Sequence, residues 1–407
     1  MPAGLVRRWG GLFLVALAAR LLYWAFVTPD WVPRSDAHQY LEIAGNIAGG
    51  EGYASRFPQF EVHASAFRPP LYPALLAPLE WAFGAALWPE RLLNALLGAA
   101  VAVLAGILAA RVGGRRAGVV TALAAGVYPP LLANDVVTLS EPLGLILVLL
   151  ALLGTLDDRP VPAGIAVGLL FLTRPNAYLL VVVLAVWLAL RVHWRRALLL
   201  GGTALLVLTP WVVRNVVQVG TWRPTTSDGL TLAGVYSPQA QARGQFVDPV
   251  SDDAFDDSEL RLAQFDESAW SDRLTKLAVE GVGDDPGYVF HMLERNTASL
   301  LELRPSYNEP AERLDGRNLP FRDRTLPVFY VVTVLGIAGL VRYRRVPPVW
   351  LVTASVAQFV LLSLVLVSSP RLRAPFDLLC CIGVGLLASP RVAPGTPIAE
   401  PRPQTAE

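Results

Sequence analysis

Asp36 and Arg68 lie within one polar stretch, RSDAHQYLEIAGNIAGGEGYASRFPQFEVHASAFRPPLYP from Arg34 to Pro73, that interrupts two long apolar runs. Tyr40, Ile43, Ala44 and Ile47 recur at helical spacing, which puts Asp36 at the mouth of a short amphipathic helix that Gly49, Gly50 and Gly52 end. Pro69 and Pro70 stop the chain from continuing as helix after Arg68. A carboxylate held near a hydroxyl takes its proton, and a guanidinium grips phosphate oxygens in a planar fork. The plainer alternative is that Asp36, with Gln39 three residues on, caps the helix and that Pro69-Pro70 is only a loop.

Four more arginines stand in distinctive settings: Arg174 in TRPN, Arg214 in WVVRN, and Arg371 and Arg373 in SPRLRAP. With Arg68 they form a candidate set for holding a lipid-linked phosphate; singly, each also reads as a snorkelling or loop arginine. The acidic partners are sparse. Glu141 in TLSEPL, with Asp135 nearby, opens an apolar run, although a Glu before Pro142 is also a plain helix start. Tyr40, Tyr72, Asn176 and Asn215 flank the charged positions and are candidate substrate contacts. His38 and His63 share the loop with Asp36 and would join it and Glu141 around a divalent metal, though neither histidine has ligand spacing.

The elements that must position these residues are apolar. Of 407 residues, 54% are hydrophobic and only 16% charged, against roughly 25% charged in soluble domains. Runs of the length that crosses a bilayer lie near 9–28, 89–111, 116–133, 139–156, 161–173, 176–191, 197–216, 325–341, 347–367 and 374–389, so an all-α polytopic membrane protein with about ten transmembrane helices is expected. The run 71–87, broken by Pro73 and Pro78, is expected as a surface or re-entrant helix. The start, VRRWGGLFLVALAAR, has features of a signal peptide, but LLYWAFV continues the apolar run and an uncleaved first span is expected. Cys380 and Cys381 are adjacent in the last run, which suits neither a loop-closing disulfide nor a zinc cluster.

Arg7/Arg8, Arg111/Arg115/Arg116, Arg191/Arg195/Arg196 and Arg342/Arg344/Arg345 fall on one side if every run spans, and that side is expected to be the cytoplasm. The organisation that follows is an N-terminal transmembrane module over 1–216 with its first outer loop at about 29–88, an extracytoplasmic loop region over 217–324 bearing short amphipathic helices, C-terminal transmembrane helices over 325–390, and a disordered cytoplasmic tail over 391–407. SDDAFDDSEL in the loop region reads as a solvated acidic face. No basic-aromatic pattern for nucleic acid is present in the chain.

SDAHQYLEIAGNIAGGEGY, FRPPLYP, YPPLLANDVVTLSEPL, FLTRPNAYLL, LTPWVVRN with TWRPTTSDGL, and SPRLRAPFDLL follow one another in an order that resembles the GT-C superfamily of membrane glycosyltransferases, in the branch of protein O-mannosyltransferases, the lipid A aminoarabinose transferase and their bacterial relatives. The resemblance implies transfer of a sugar from a polyprenyl-phosphate-linked donor to a glycan, lipid or protein acceptor at the outer face of the plasma membrane, among membrane lipids. It maps the catalytic carboxylate onto Asp36 and a second acidic position onto Glu141. Members differ in needing a divalent metal, so that question stays open.

Two other classes fit parts of the pattern. A transporter or lipid flippase places ionisable groups and Gly/Pro breaks near the bilayer midplane, whereas here they cluster at helix ends. A non-catalytic envelope-assembly scaffold would leave Asp36 and the arginines without individual roles.

Overall fold

The computed structural model describes residues 3–59, 61–256 and 258–390. It is an all-α polytopic membrane protein. The tail expected over 391–407 lies outside the described residues. After α1 (Ala3–Val27) come α2 (Ser35–Ala48), a two-residue antiparallel pair β1 (Ala54–Ser55) and β2 (His63–Ala64), and α3 (Leu71–Phe83). The apolar body continues with α4 (Trp88–Val127), α5 (Pro129–Asp135), α6 (Glu141–Leu156), α7 (Pro160–Phe171), α8 (Tyr178–Arg191) and α9 (Trp194–Gln218). A layer of short helices follows: α10 (Ser227–Tyr236), α11 (Pro238–Arg243), α12 (Ser258–Ala263), α13 (Glu267–Asp284), α14 (Tyr288–Leu300) and α15 (Glu309–Leu314). Three apolar helices close the chain, α16 (Leu319–Arg342), α17 (Pro347–Val365) and α18 (Ala374–Leu387).

Each of the ten apolar runs falls on helix. Trp9–Val27, Trp88–Val127, Trp194–Gln218, Leu319–Arg342 and Pro347–Val365 are long and apolar enough to cross a membrane, and Glu141–Leu156, Pro160–Phe171, Pro175–Arg191 and Ala374–Leu387 are shorter apolar helices. The 40 residues of α4 accommodate two runs because they fold back at Gly114, whose φ of 80° only glycine adopts without strain. Gly106 and Gly118 face each other across that hairpin: a Cβ on either would sit 2.7 or 2.6 Å from the other's carbonyl oxygen. The run expected over 116–133 breaks at Tyr128, which is extended because Pro129 follows it. The run 71–87 is α3, which buries Tyr72, Leu76 and Ala77.

The twelve residues of α7 rise only about 18 Å, well short of a ~30 Å hydrocarbon core. One face of it packs on its neighbours while Val161 and Ile165 stay exposed, and the turn that follows carries a partly buried Arg174. The main apolar core joins α4, α6, α7, α17 and α18. A second core, built on Trp270, Phe67, Val247 and Leu274, fastens the loop before Arg68 to the layer of short helices.

Candidate functional site

The Arg68 and Arg174 segments meet through their backbones. The Leu71 amide, first in α3, donates to the Leu172 carbonyl at 2.8 Å, so FRPP and TRPN share one rim. Residues 65–68 are held from the other side. Arg214 donates to the carbonyls of Ser65 and Tyr53, each at 2.6 Å; Thr225 donates to Phe67 O at 2.7 Å; and Glu267 accepts from the Ala66 amide at 2.8 Å and from Thr226 at 2.5 Å.

Asp36 does not cap α2. The N-cap position is Arg34, with no side-chain cap bond, and the Asp36 oxygens are divided between two guanidiniums. Arg68 takes Oδ1, and Arg371 Nη2 lies 2.7 Å from Oδ2. Arg68 also donates to Gln39 at 2.6 Å and sits over the rings of Phe67 and Tyr40. Arg371 reaches onward, with Nε 3.1 Å from Glu141 Oε1 and Nη1 2.9 Å from Asp315. Arg174 pairs with the same Glu141 oxygen at 2.8 Å. Three carboxylates and three guanidiniums thus form one partly buried, charge-balanced cluster.

Burial on its own would raise the Asp36 pKa, but Arg68 and Arg371 hold it well below the usual carboxylate range. Asp315 goes the other way: burial lifts it above its ordinary value despite the pull of Arg371. Arg371, hemmed by three acids, stays charged.

The cluster caps a cavity lined by Glu141, Arg174, Asn176 and Arg371 at its polar end and by Leu145, Val148, Leu170 and Phe359 along its apolar wall. Glu141 Oε2 and Asn176 Oδ1 are buried there without a hydrogen-bond partner.

Other expected positions lie elsewhere. Tyr40 and Tyr72 pack edge to face beneath the cluster, their hydroxyls engaged by Ser140 at 3.3 Å and Asn94 at 3.0 Å. Arg214 serves loop carbonyls, and Asn215 bonds Arg223 O at 3.0 Å and stays outside the cluster. Arg373 is buried against Asp377 and Glu302, each at 3.2 Å, and donates to Leu300 O at 2.8 Å. His38 is exposed on α2, and His63 faces Glu267 at 3.4 Å. The four residues named for a metal therefore do not surround one point: Arg371, not a vacant position, lies between Asp36 and Glu141. Among the described residues no group of three His, Cys, Asp or Glu side chains is placed to hold a metal ion.

Sequence reasoning missed Asp315. It follows α15 in an Asp-Gly pair that reads as an ordinary turn, and only the fold brings it to Arg371.

The chain superposes on AglB, the oligosaccharyltransferase of Archaeoglobus fulgidus, in complex with an inhibitory peptide and a dolichol-phosphate, with a TM-score of 0.55 and 14% identity over 94% of this chain and 50% of that one. For the form of the same archaeal enzyme with Zn and sulfate the TM-score is 0.52 and the identity 16%, over 93% and 48%. The fold is GT-C-like. The chain spans about half the length of that oligosaccharyltransferase. The likeness to apo ArnT from Cupriavidus metallidurans is looser, with a TM-score of 0.44 and 19% identity over 93% of this chain and 77% of that one. No protein-family model and no curated protein sequence matches the chain.

Proposed function

We propose that this protein moves a sugar from a polyprenyl-phosphate-linked donor to an acceptor hydroxyl of an envelope glycan, lipid or protein, at the outer face of the plasma membrane. The observation that supports this reading most directly is the cavity beneath Glu141. It is polar at one end, where Arg174 and Arg371 flank Glu141, and apolar along its wall, the pattern of a phosphate on a hydrocarbon chain. The lipid would lie along Leu145, Val148, Leu170 and Phe359, with its phosphate against Arg174 and Arg371. The unpartnered oxygens of Asn176 and Glu141 are acceptors, which suit sugar hydroxyls.

In the reaction the acceptor oxygen bonds to the anomeric carbon as the bond from that carbon to the phosphate oxygen breaks. The electron pair leaves with the phosphate, the hydroxyl proton passes to Asp36, and a single attack inverts the centre. Free Asp36 is a poor base while two guanidiniums hold it. A phosphate that draws Arg371 away removes one of them and makes Asp36 more basic when donor is in place. Asp315, whose proton affinity is already raised, is the carboxylate best able to take up a proton as the incoming anion upsets the charge balance.

Cells with and without the gene, compared by mass spectrometry of lipid-linked sugars and envelope glycans, test the reading. One polyprenyl-phosphate sugar is expected to accumulate and one glycan modification to vanish; unchanged profiles in both pools would overturn it.

A further inference from the structure

A second cavity lies apart from the one beneath Glu141, between the last turns of α1, the body of α5 and the start of α16. Its apolar wall is Tyr23, Phe321, Leu326 and Phe329, and its charged lining is Arg317, Arg322, Arg373 and Glu302. Most of that charge is committed. Glu302 bonds Arg373 at 3.2 Å and Asn308 at 3.1 Å, and Arg322 bonds Glu312 at 2.6 Å.

Arg317 is the exception. Its side chain is only 5% exposed, yet the closest carboxylate oxygen, on Glu312, is 3.9 Å away, beyond hydrogen-bond reach. One terminal nitrogen donates to Asn134 Oδ1 at 2.5 Å, while Arg317 Nε has no partner. The other half of that amide, Asn134 Nδ2, is also buried and unpartnered. Both open groups are donors, and buried donors left unmade are costly, so the gap calls for acceptor oxygens. The backbone keeps Arg317 there: Gly316, at φ 75°, turns the chain against the Trp31 ring and leaves no room for a Cβ.

We propose that this cavity binds the oxyanion of a membrane amphiphile, taken by Arg317, with its apolar part along Phe321, Leu326 and Phe329. Arg317 stands two residues after Asp315, so the same turn presents one side chain to this cavity and one to Arg371. Resting on the transferase reading, the occupant is an anionic acceptor; binding itself is testable without that reading.

The probe is dioctanoyl phosphatidate, bound to the purified full chain in detergent and counted by native mass spectrometry. Arg317→Gln or Leu326→Trp is expected to weaken one of the bound molecules about tenfold or more, and Arg174→Gln to leave that molecule in place. Dioctanoylglycerol, which lacks the oxyanion, should not bind there, and laurate separates carboxylate from phosphate recognition. Melting temperatures report whether each variant folds. In the unaltered protein a photoreactive phosphatidate should attach within 317–329. Wild-type affinity in both cavity variants, equal binding of dioctanoylglycerol, or attachment confined to 141–176 would each overturn the proposal. Failure of the donor reading would show instead as loss of nothing in Arg174→Gln.

Discussion

The carboxylate of Asp36 and the guanidinium of Arg371, 335 positions apart in the chain, lie 2.7 Å from each other. Neither residue can act in the proposed transfer independently of the other. Asp36 is a weak base for as long as Arg371 holds it, and Arg371 is spent on carboxylates until a phosphate competes.

Replacing Arg371 with Lys keeps the charge but loses the fork that spans Asp36, Glu141 and Asp315. Donor KM is expected to rise on the order of tenfold with protein yield unchanged. Arg214→Lys should act differently, lowering the melting temperature through the Ser65 and Tyr53 carbonyls it releases while donor KM stays within about twofold. Equal effects of the two variants on KM would remove the distinction between a binding and a supporting arginine.

That distinction was not visible in the sequence, where all five arginines look alike in charge and setting. One signal was present: Arg373 stands four residues before Asp377 at the start of a helix, the spacing of an intrahelical pair, and the fold makes that pair. Asp36, Arg68, Glu141 and Arg174 were legible because each lies where an apolar run ends, and a bilayer tolerates charge only at such ends or inside protein. The helices were legible for the same reason, including the hairpin of α4, whose turn is flanked by Arg111, Arg115 and Arg116. Asp315 and the partner of Arg20 were not. Arg20 is wholly buried against Asp135 at 2.6 Å, a pairing set by how α1 and α5 pack rather than by any local pattern.

Topology is tested by labelling. Glu51 and Asp253 are exposed, so cysteine at either should react with an impermeant thiol reagent in intact cells if the site faces outward, whereas cysteine at exposed Arg344 should react only after lysis. The native Cys380 and Cys381 are buried in α18 and contribute little background. The reverse pattern would invert the orientation.

His63 and Glu267 couple the loop before Arg68 to α13. Burial lowers the His63 pKa, but the bond to Glu267 outweighs it and the net shift is upward from 6.5. A raised folded-state pKa means the contribution is complete below pH 6.5 and is lost as pH climbs through the folded value. The melting temperature should therefore fall across that window, and His63→Gln should flatten the dependence. An identical slope in the variant would exclude His63 as the titrating group.

Transfer by Asp36→Asn in purified membranes, supplied with the accumulated polyprenyl-phosphate sugar, bears most directly on the proposed mechanism. Asn keeps the shape of the side chain but cannot take the acceptor proton, and no capping bond is lost because Asp36 makes none. The account predicts a fall on the order of 10²-fold or more in transfer rate, with protein level and donor binding largely retained. Transfer at the wild-type rate would contradict it.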